Sequence, residues 1–331
     1  MALFIKVIIA CLLLTVLFGC TAPDKNIIDN NTDINKIILI TNPWPNYIIP
    51  TVSDINLLTP TTKEYEYFLG GQMYTYKFTV YKELNEYLNK YPGWYSCTGK
   101  CPTYEQYINI LVNEPVSKKQ LVKITSDFNA LKLRIDDKIR SLVSFVQLLD
   151  YNTNKPISTE SFPYQVLVDS QGICGEKSIL LLNLLSNMGY KTAYLYFPDV
   201  NHAAVGIGCD PKYDFRDSGY CYIETTHQMI ITDSNVGSKI GNVDVGTLTI
   251  FPISDGRKFN AETDYNAVIE RKTFIAHKND PNFDFTSYYY FNTYWGLNQT
   301  TCDTNLILCM GICWTNCSSG TFKCTSNGAT C

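Results

Sequence analysis

The stretch Cys174-Gly175-Glu176-Lys177-Ser178-Ile179-Leu180-Leu181-Leu182-Asn183-Leu184-Leu185 constrains the fold more than any other part of the chain. Its apolar residues nearly encircle a helix axis, which leaves no broad polar face for water. Such a helix has to be central and covered on all sides. The spacing predicts a start at about Cys174, a run to Met188 and a stop at Gly189, a residue suited to a left-handed cap. Three strand-like runs follow at Lys191–Phe197, His202–Cys209 and Gly219–Thr226, and a further apolar alternation spans Val243–Phe251. A buried helix followed by antiparallel strands predicts an α+β fold.

Upstream, apolar residues recur at helical spacing from Leu121 through Ile124, Phe128, Leu131, Ile135, Ile139, Leu142 and Phe145 to Leu149. With Ser117 as N-cap, this predicts one long helix or two abutting ones. Gln72–Val80 alternates like a strand, and Tyr81–Lys90 reads as a short helix before Pro92. The expected organisation is a leader over 1–19, a spacer over 20–60, an N-terminal accessory region over 61–115, a core over 116–260 and a C-terminal extension over 261–331. Pro43, Pro45, Pro50 and Pro60 keep the end of the spacer extended or turning.

The compartment follows from the first residues. Val7–Gly19 is apolar apart from Thr15 and ends at Cys20. A spanning helix needs about 17–25 residues, so the run suits the core of a secretory signal, and Leu17-Phe18-Gly19-Cys20 is similar to a lipoprotein cleavage site with Cys20 as the lipidated residue. The other reading is an uncleaved anchor helix. Both place the rest of the chain outside the cytoplasm, tethered to a membrane. The net charge of −4 argues against nucleic acid as a partner.

Export turns the cysteines into disulfide arithmetic. Beyond Cys11 and Cys20, the candidates fall in local groups: Cys97 with Cys101, Cys209 with Cys221, and Cys302, Cys309, Cys313, Cys317, Cys324 and Cys331 in a C-terminal tail. The tail's spacings lack the paired CxxC of zinc ribbons, so a disulfide-stapled knob is expected and no metal site. Asn30, Asn298 and Asn316 lie in N-x-[ST] sequons. Cys174 is left without a partner.

A lone thiol in an oxidising compartment is either buried or used. Cys174 opens a helix, where unpaired backbone N–H groups and the dipole favour a thiolate. His202 stands at the start of one later strand and Glu224 on the next. A nucleophile, a base and an acid that orients the base are what thiol-based acyl transfer requires. Each also has a bland reading, as a small apolar residue, a structural histidine and a solvated strand residue.

Taken together, Gly172-Ile173-Cys174-Gly175-Glu176-Lys177-Ser178 with its Leu-rich helix, His202-Ala203-Ala204-Val205-Gly206-Ile207 and Tyr222-Ile223-Glu224-Thr225-Thr226 resemble the three motifs of the transglutaminase-like superfamily. Phe145-Val146-Gln147 followed by Tyr151 is similar to the helix that precedes the Cys motif in exported microbial members. The resemblance covers about residues 72–250. It implies a papain-like α+β core with Cys174 as nucleophile, His202 as base and then acid, Glu224 orienting His202, and no cofactor. By analogy it also makes Gln147 a side-chain oxyanion donor, the alternative being a core-capping or solvated glutamine. The implied activity is attack on amide or isopeptide bonds of a peptide or protein substrate, resolved by water in preference to an amine. A non-catalytic surface binding module is the second hypothesis.

If His202 and Glu224 pair directly across two strands, Cys209 and Cys221 point to the opposite face but are out of step, too far apart for a disulfide. Either the ladder ends before Cys209, with Asp210–Ser218 folding back, or these two have other partners. The first arrangement is the expectation.

Overall fold

A computed structural model describes residues 55–91, 97–155, 160–234, 239–240, 243–277, 306–309, 312–315, 323–325 and 328–330. Pro60–Leu69 (β1) and Gln72–Tyr81 (β2) form an antiparallel hairpin closed by Gly70-Gly71. Both glycines have positive φ, 59° and 81°, which a two-residue primed turn needs and which side chains resist. Along β1, Tyr65 and Tyr67 face the core while Glu64 and Glu66 stay exposed. Tyr65 meets the Phe145 ring edge-on at 5.5 Å.

Four helices follow: Lys82–Leu88 (α1), Tyr104–Val112 (α2), Pro115–Ala130 (α3) and Ile135–Gln147 (α4). The periodic stretch is thus two helices, because Leu131 leaves the helical region with ψ 138°. The cap of α3 is Glu114 instead of Ser117. Its carboxylate accepts from Val116 N and Ser117 N at 2.8 and 2.6 Å, and Pro115, whose φ is preset, occupies the first helical position.

Asp150–Tyr151 (β3) pairs in parallel with Gln171–Gly172 (β4), flanking Pro163–Asp169 (α5). Cys174–Asn187 (α6) then runs as the composition predicts. Ile179, Leu180, Leu181, Leu182, Leu184 and Leu185 are fully buried, each contributing about 1.5–3 kcal/mol. The helix ends at Met188, with Gly189 at φ 78°.

Thr192–Phe197 (β5), His202–Gly208 (β6), Tyr220–Ile223 (β7) and Thr249–Ser254 (β10) form an antiparallel sheet in the order β10-β5-β6-β7. Lys239–Ile240 (β8) and Val243–Asp244 (β9) pair separately. The face bearing Tyr194, Val205, Ile207, Cys221 and Ile223 shares one core with α6 and the hairpin. The other face, with Leu195, Phe197, Ala204 and Tyr222, packs on Phe215 and Val245. Burial on both faces explains why these strands read as nearly continuous apolar runs. Glu262–His277 (α7) is tied to α4 by a buried ion pair, Arg140 Nη2 to Asp264 Oδ2 at 2.7 Å. Leu306–Cys309 (β11) pairs with Ile312–Thr315 (β12), and Lys323–Thr325 (β13) with Gly328–Thr330 (β14).

The register of β6 and β7 differs from the expected one. Val205 pairs with Ile223 and Gly208 with Tyr220, so His202 and Glu224 are offset along the strands instead of directly opposed. The ladder ends at Gly208, before Cys209, as expected. The turn that follows brings Cys209 and Cys221 into a disulfide with Cα atoms 5.7 Å apart. Cys97 and Cys101 are bridged as well. Bonding in the C-terminal tail, and the expectations for 1–19 and Cys20, lie outside the described residues. No helix among those residues is long and apolar enough to cross a membrane.

Candidate active site

Three separate pieces of the chain meet at the N-terminus of α6. Cys174 is its first residue, half-buried, and is the free cysteine among the described residues. Glu176 Oε2 accepts from Ile173 N at 3.0 Å, and its Oε1 accepts from Ser161 N and Lys155 Nζ. That acceptor set fixes the first turn and the chain that enters it. Gly172, just upstream, is closely packed. A Cβ there would sit 3.3 Å from Glu176 Cβ and Lys177 Cγ.

His202 is buried at the start of β6, with the Phe197 ring stacked beside it at 6.0 Å. Its Nε2 lies 3.1 Å from Glu224 Oε2, which leaves Nδ1 as the nitrogen that can serve Cys174, a residue close enough to help raise the imidazole. Glu224 is fully buried, one residue beyond β7. Its Oε2 also accepts from Tyr222 Oη at 2.7 Å. Oε1 accepts from Thr225 N and Thr226 N, both at 2.9 Å, and from Thr226 Oγ1 at 2.7 Å. Every acceptor direction of the carboxylate is used, so it cannot rotate without losing bonds.

The electrostatics follow from these contacts. Burial opposes ionisation of Glu224, but the bond and charge of His202, the charge of His227 and the Tyr222 bond hold it well below the usual carboxylate range. Burial likewise opposes the imidazolium. Hydrogen bonds to Cys174 and Glu224, with their charges, outweigh it and raise His202 to about 10. The resting histidine is therefore an acid, held by the Glu224 carboxylate. Beneath it, fully buried Lys177 donates to Gln147 O and Leu149 O at 3.1 and 2.7 Å. Burial lowers its ammonium to about 8, against the charges of Glu224 and Asp150.

Gln147 is not placed for the oxyanion role. Its two amide hydrogens go to Glu224 O at 2.8 Å and Met229 O at 3.0 Å, and its Oε1 accepts from Met229 N at 3.3 Å. With both donors consumed, the side chain braces the segment that carries Glu224. Replacing it with leucine leaves three buried backbone groups unpaired, and a loss of about 3 kcal/mol is expected. Urea unfolding that shows a lower midpoint at unchanged m-value checks this. An unchanged midpoint would refute the bracing role.

Sequence reasoning passed over four residues. Thr225 Oγ1 bonds Ser178 Oγ at 3.1 Å and Cys174 O at 3.5 Å, tying the acid's segment to the nucleophile's helix. Thr226 and Tyr222 fix the carboxylate from either side. The signal for Tyr222 was available, since residues two apart on a strand share a face. Among the described residues, no group of three His, Cys, Asp or Glu is placed to hold a metal ion.

No family model matches the sequence, and neither does any curated protein. Among solved structures, a putative cysteine protease from Cytophaga hutchinsonii aligns over 62% of this chain and 78% of its own, at 11% identity and a TM-score of 0.24. A TM-score that low establishes no common topology, so the roles of Cys174, His202 and Glu224 rest on their own geometry.

Proposed function

We propose that this chain is a transglutaminase-like thiol enzyme that opens amide or isopeptide bonds of peptides or proteins through a Cys174 thioester. Water is its ordinary acceptor, which makes it a cysteine peptidase or amidase. The observation that carries the reading is that the saturated, buried carboxylate of Glu224 holds His202 through Nε2, while Thr225 next to it ties the same segment to the free Cys174 at the start of α6. The two disulfides beside a free Cys174 support an oxidising compartment outside the cytoplasm, where the N-terminal segment would tether the protein to a membrane.

Cys174 Sγ attacks the carbonyl carbon, an S–C bond forms, and the carbonyl π pair moves to oxygen. The Cys174 N–H, in the first turn where a helix offers its own donors no acceptor, stabilises that charge. His202 passes its Nδ1 proton to the amine nitrogen as the C–N bond breaks. Water then gives a proton to Nδ1 while its oxygen attacks the thioester, and the S–C bond breaks to return the thiolate.

The test is thiol labelling of the full-length protein without reductant. Iodoacetamide at pH 6 and pH 8.5 is followed by peptide mapping. Cys174 should label already at pH 6, at a rate close to that at pH 8.5, with the other cysteines protected. A Cys174 that is bridged, or that labels only near pH 8.5, would leave the binding-module reading in place instead.

A further inference from the structure

Glu224 and Met229 bracket a short loop that one side chain pins at both ends. Gln147 donates to Glu224 O at 2.8 Å and to Met229 O at 3.0 Å, and its Oε1 accepts from Met229 N at 3.3 Å. Between those ends lies His227, exposed to solvent and outside the Cys, His and Glu motifs. Its Nδ1 is 3.1 Å from Thr226 Oγ1, which is itself 2.7 Å from Glu224 Oε1. Glu224 Oε2 in turn meets His202 Nε2 at 3.1 Å. One carboxylate is thus flanked by two imidazoles, the buried one directly and the exposed one through a hydroxyl.

The supply of hydrogens fixes the direction of this chain. A threonine hydroxyl has a single hydrogen. Glu224 is held ionised, so its oxygens only accept, and the Thr226 hydrogen has to point at Oε1. Oγ1 is then left as an acceptor toward His227, and Nδ1 has to bring the hydrogen for the 3.1 Å contact. The tautomer with its hydrogen on Nε2, which neutral histidine favours in water, would set two acceptors against each other there or draw the Thr226 hydrogen off the carboxylate. A second proton on Nε2 leaves the order intact, because the imidazolium still donates from Nδ1.

We propose that His227 is a positioning residue for the His202–Glu224 pair: its Nδ1–H occupies Thr226 Oγ1, which keeps the Thr226 hydrogen on Glu224 Oε1 and the other carboxylate oxygen on His202. The bond that Thr226 accepts polarises the one it donates, so the two strengthen each other. The inference rests on the thiol-enzyme reading above, since the hold of Glu224 on His202 is what the chain serves.

Nitrogen NMR of the full-length protein tests the order of the bonds, and acetylation of Cys174 by p-nitrophenyl acetate tests the role. The chain has three histidines, His202, His227 and His277, so His227→Asn identifies the His227 signals by their loss. At pH 8, above the ordinary imidazole value of about 6.5, those signals should show the hydrogen on Nδ1 in wild type. In Thr226→Val they should revert to the Nε2 form. Acetylation, followed as release of p-nitrophenolate, should fall about 3- to 10-fold in His227→Phe, the scale of one hydrogen bond. It should recover in His227→Asn, whose side-chain NH2 stands in for Nδ1–H. Wild-type signals with the hydrogen on Nε2 would overturn the proposal whatever the rates. So would a His227→Phe variant that acetylates like wild type, or a loss that His227→Asn does not recover, which would make the imidazole a packing group only. A wild type whose Cys174 is not acetylated at all would sink the thiol-enzyme reading itself, a result visible without any variant and separate from the tautomer.

Discussion

Replacing His202 with alanine is expected to slow labelling of Cys174 at pH 6 by about two orders of magnitude and to change it little at pH 8.5. In the wild type the imidazole is raised to about 10, against burial, by its bonds to Cys174 and Glu224, so it stays cationic across this window. Without that cation no neighbouring positive charge supports the nucleophile, and reaction at low pH should fall most. A pH–rate profile of alkylation checks this. A profile that keeps its pH 6 rate in the variant would place the activation in the helix N-terminus alone. The same shift has a stability consequence with a definite sign. A histidine raised in the folded state stabilises it fully below the unfolded value of about 6.5, and that contribution is lost as pH rises through about 10. The stability gap between wild type and His202→Ala should therefore narrow from pH 7 toward pH 10.

The parts of this site that were legible in the sequence are those that depend on local pattern. Cys174 could be placed on the first turn because Gly172, the apolar run and Gly189 bracket one helix. His202 and Glu224 followed from strand edges. What depends on distant partners was not legible. Helical spacing puts Gln147 on α4 but does not say that Glu224 O and Met229 O take its amide, across a long loop of chain. The β6–β7 register was misjudged for a related reason. A glutamate side chain is long enough to reach a histidine displaced along the neighbouring strand, so contact does not require direct opposition. Ser117 is a preferred capping residue, yet Pro115 fixes where the helix begins and leaves the cap to Glu114. The strand β1 escaped notice because charges at Lys63, Glu64 and Glu66 interrupt it, although Tyr65 and Tyr67 between them keep the two-residue alternation.

Glu224→Gln should keep the fold, at the cost of the stability its ion pair with His202 contributes at neutral pH, and lower acyl transfer about 10³- to 10⁴-fold, the scale seen when a triad acid becomes its amide. The amide has one acceptor end and one donor end, and the surrounding groups decide their orientation. Thr225 N, Thr226 N and Thr226 Oγ1 all present hydrogens to the Oε1 position, so the amide oxygen has to sit there. The NH2 group then takes the Oε2 position, facing His202 Nε2 and Tyr222 Oη. An NH2 group donates, so Nε2 has to accept, and the imidazole is driven to carry its single hydrogen on Nδ1. That nitrogen faces Cys174 and is the one that must take a proton from the thiol. The base is therefore present, correctly placed and in the wrong tautomer, and the carboxylate charge that sustained the imidazolium is gone as well. Two measurements on the full-length variant separate this from simple damage. Urea unfolding should show one cooperative transition at unchanged m-value, its midpoint lowered by the lost ion pair, while turnover of p-nitrophenyl acetate by Cys174 collapses and alkylation at pH 6 falls with it. A variant that keeps its acetylation rate would remove Glu224 from the mechanism. One that no longer unfolds in a single cooperative transition would reduce Glu224 to a structural carboxylate holding the Thr225–Thr226 segment.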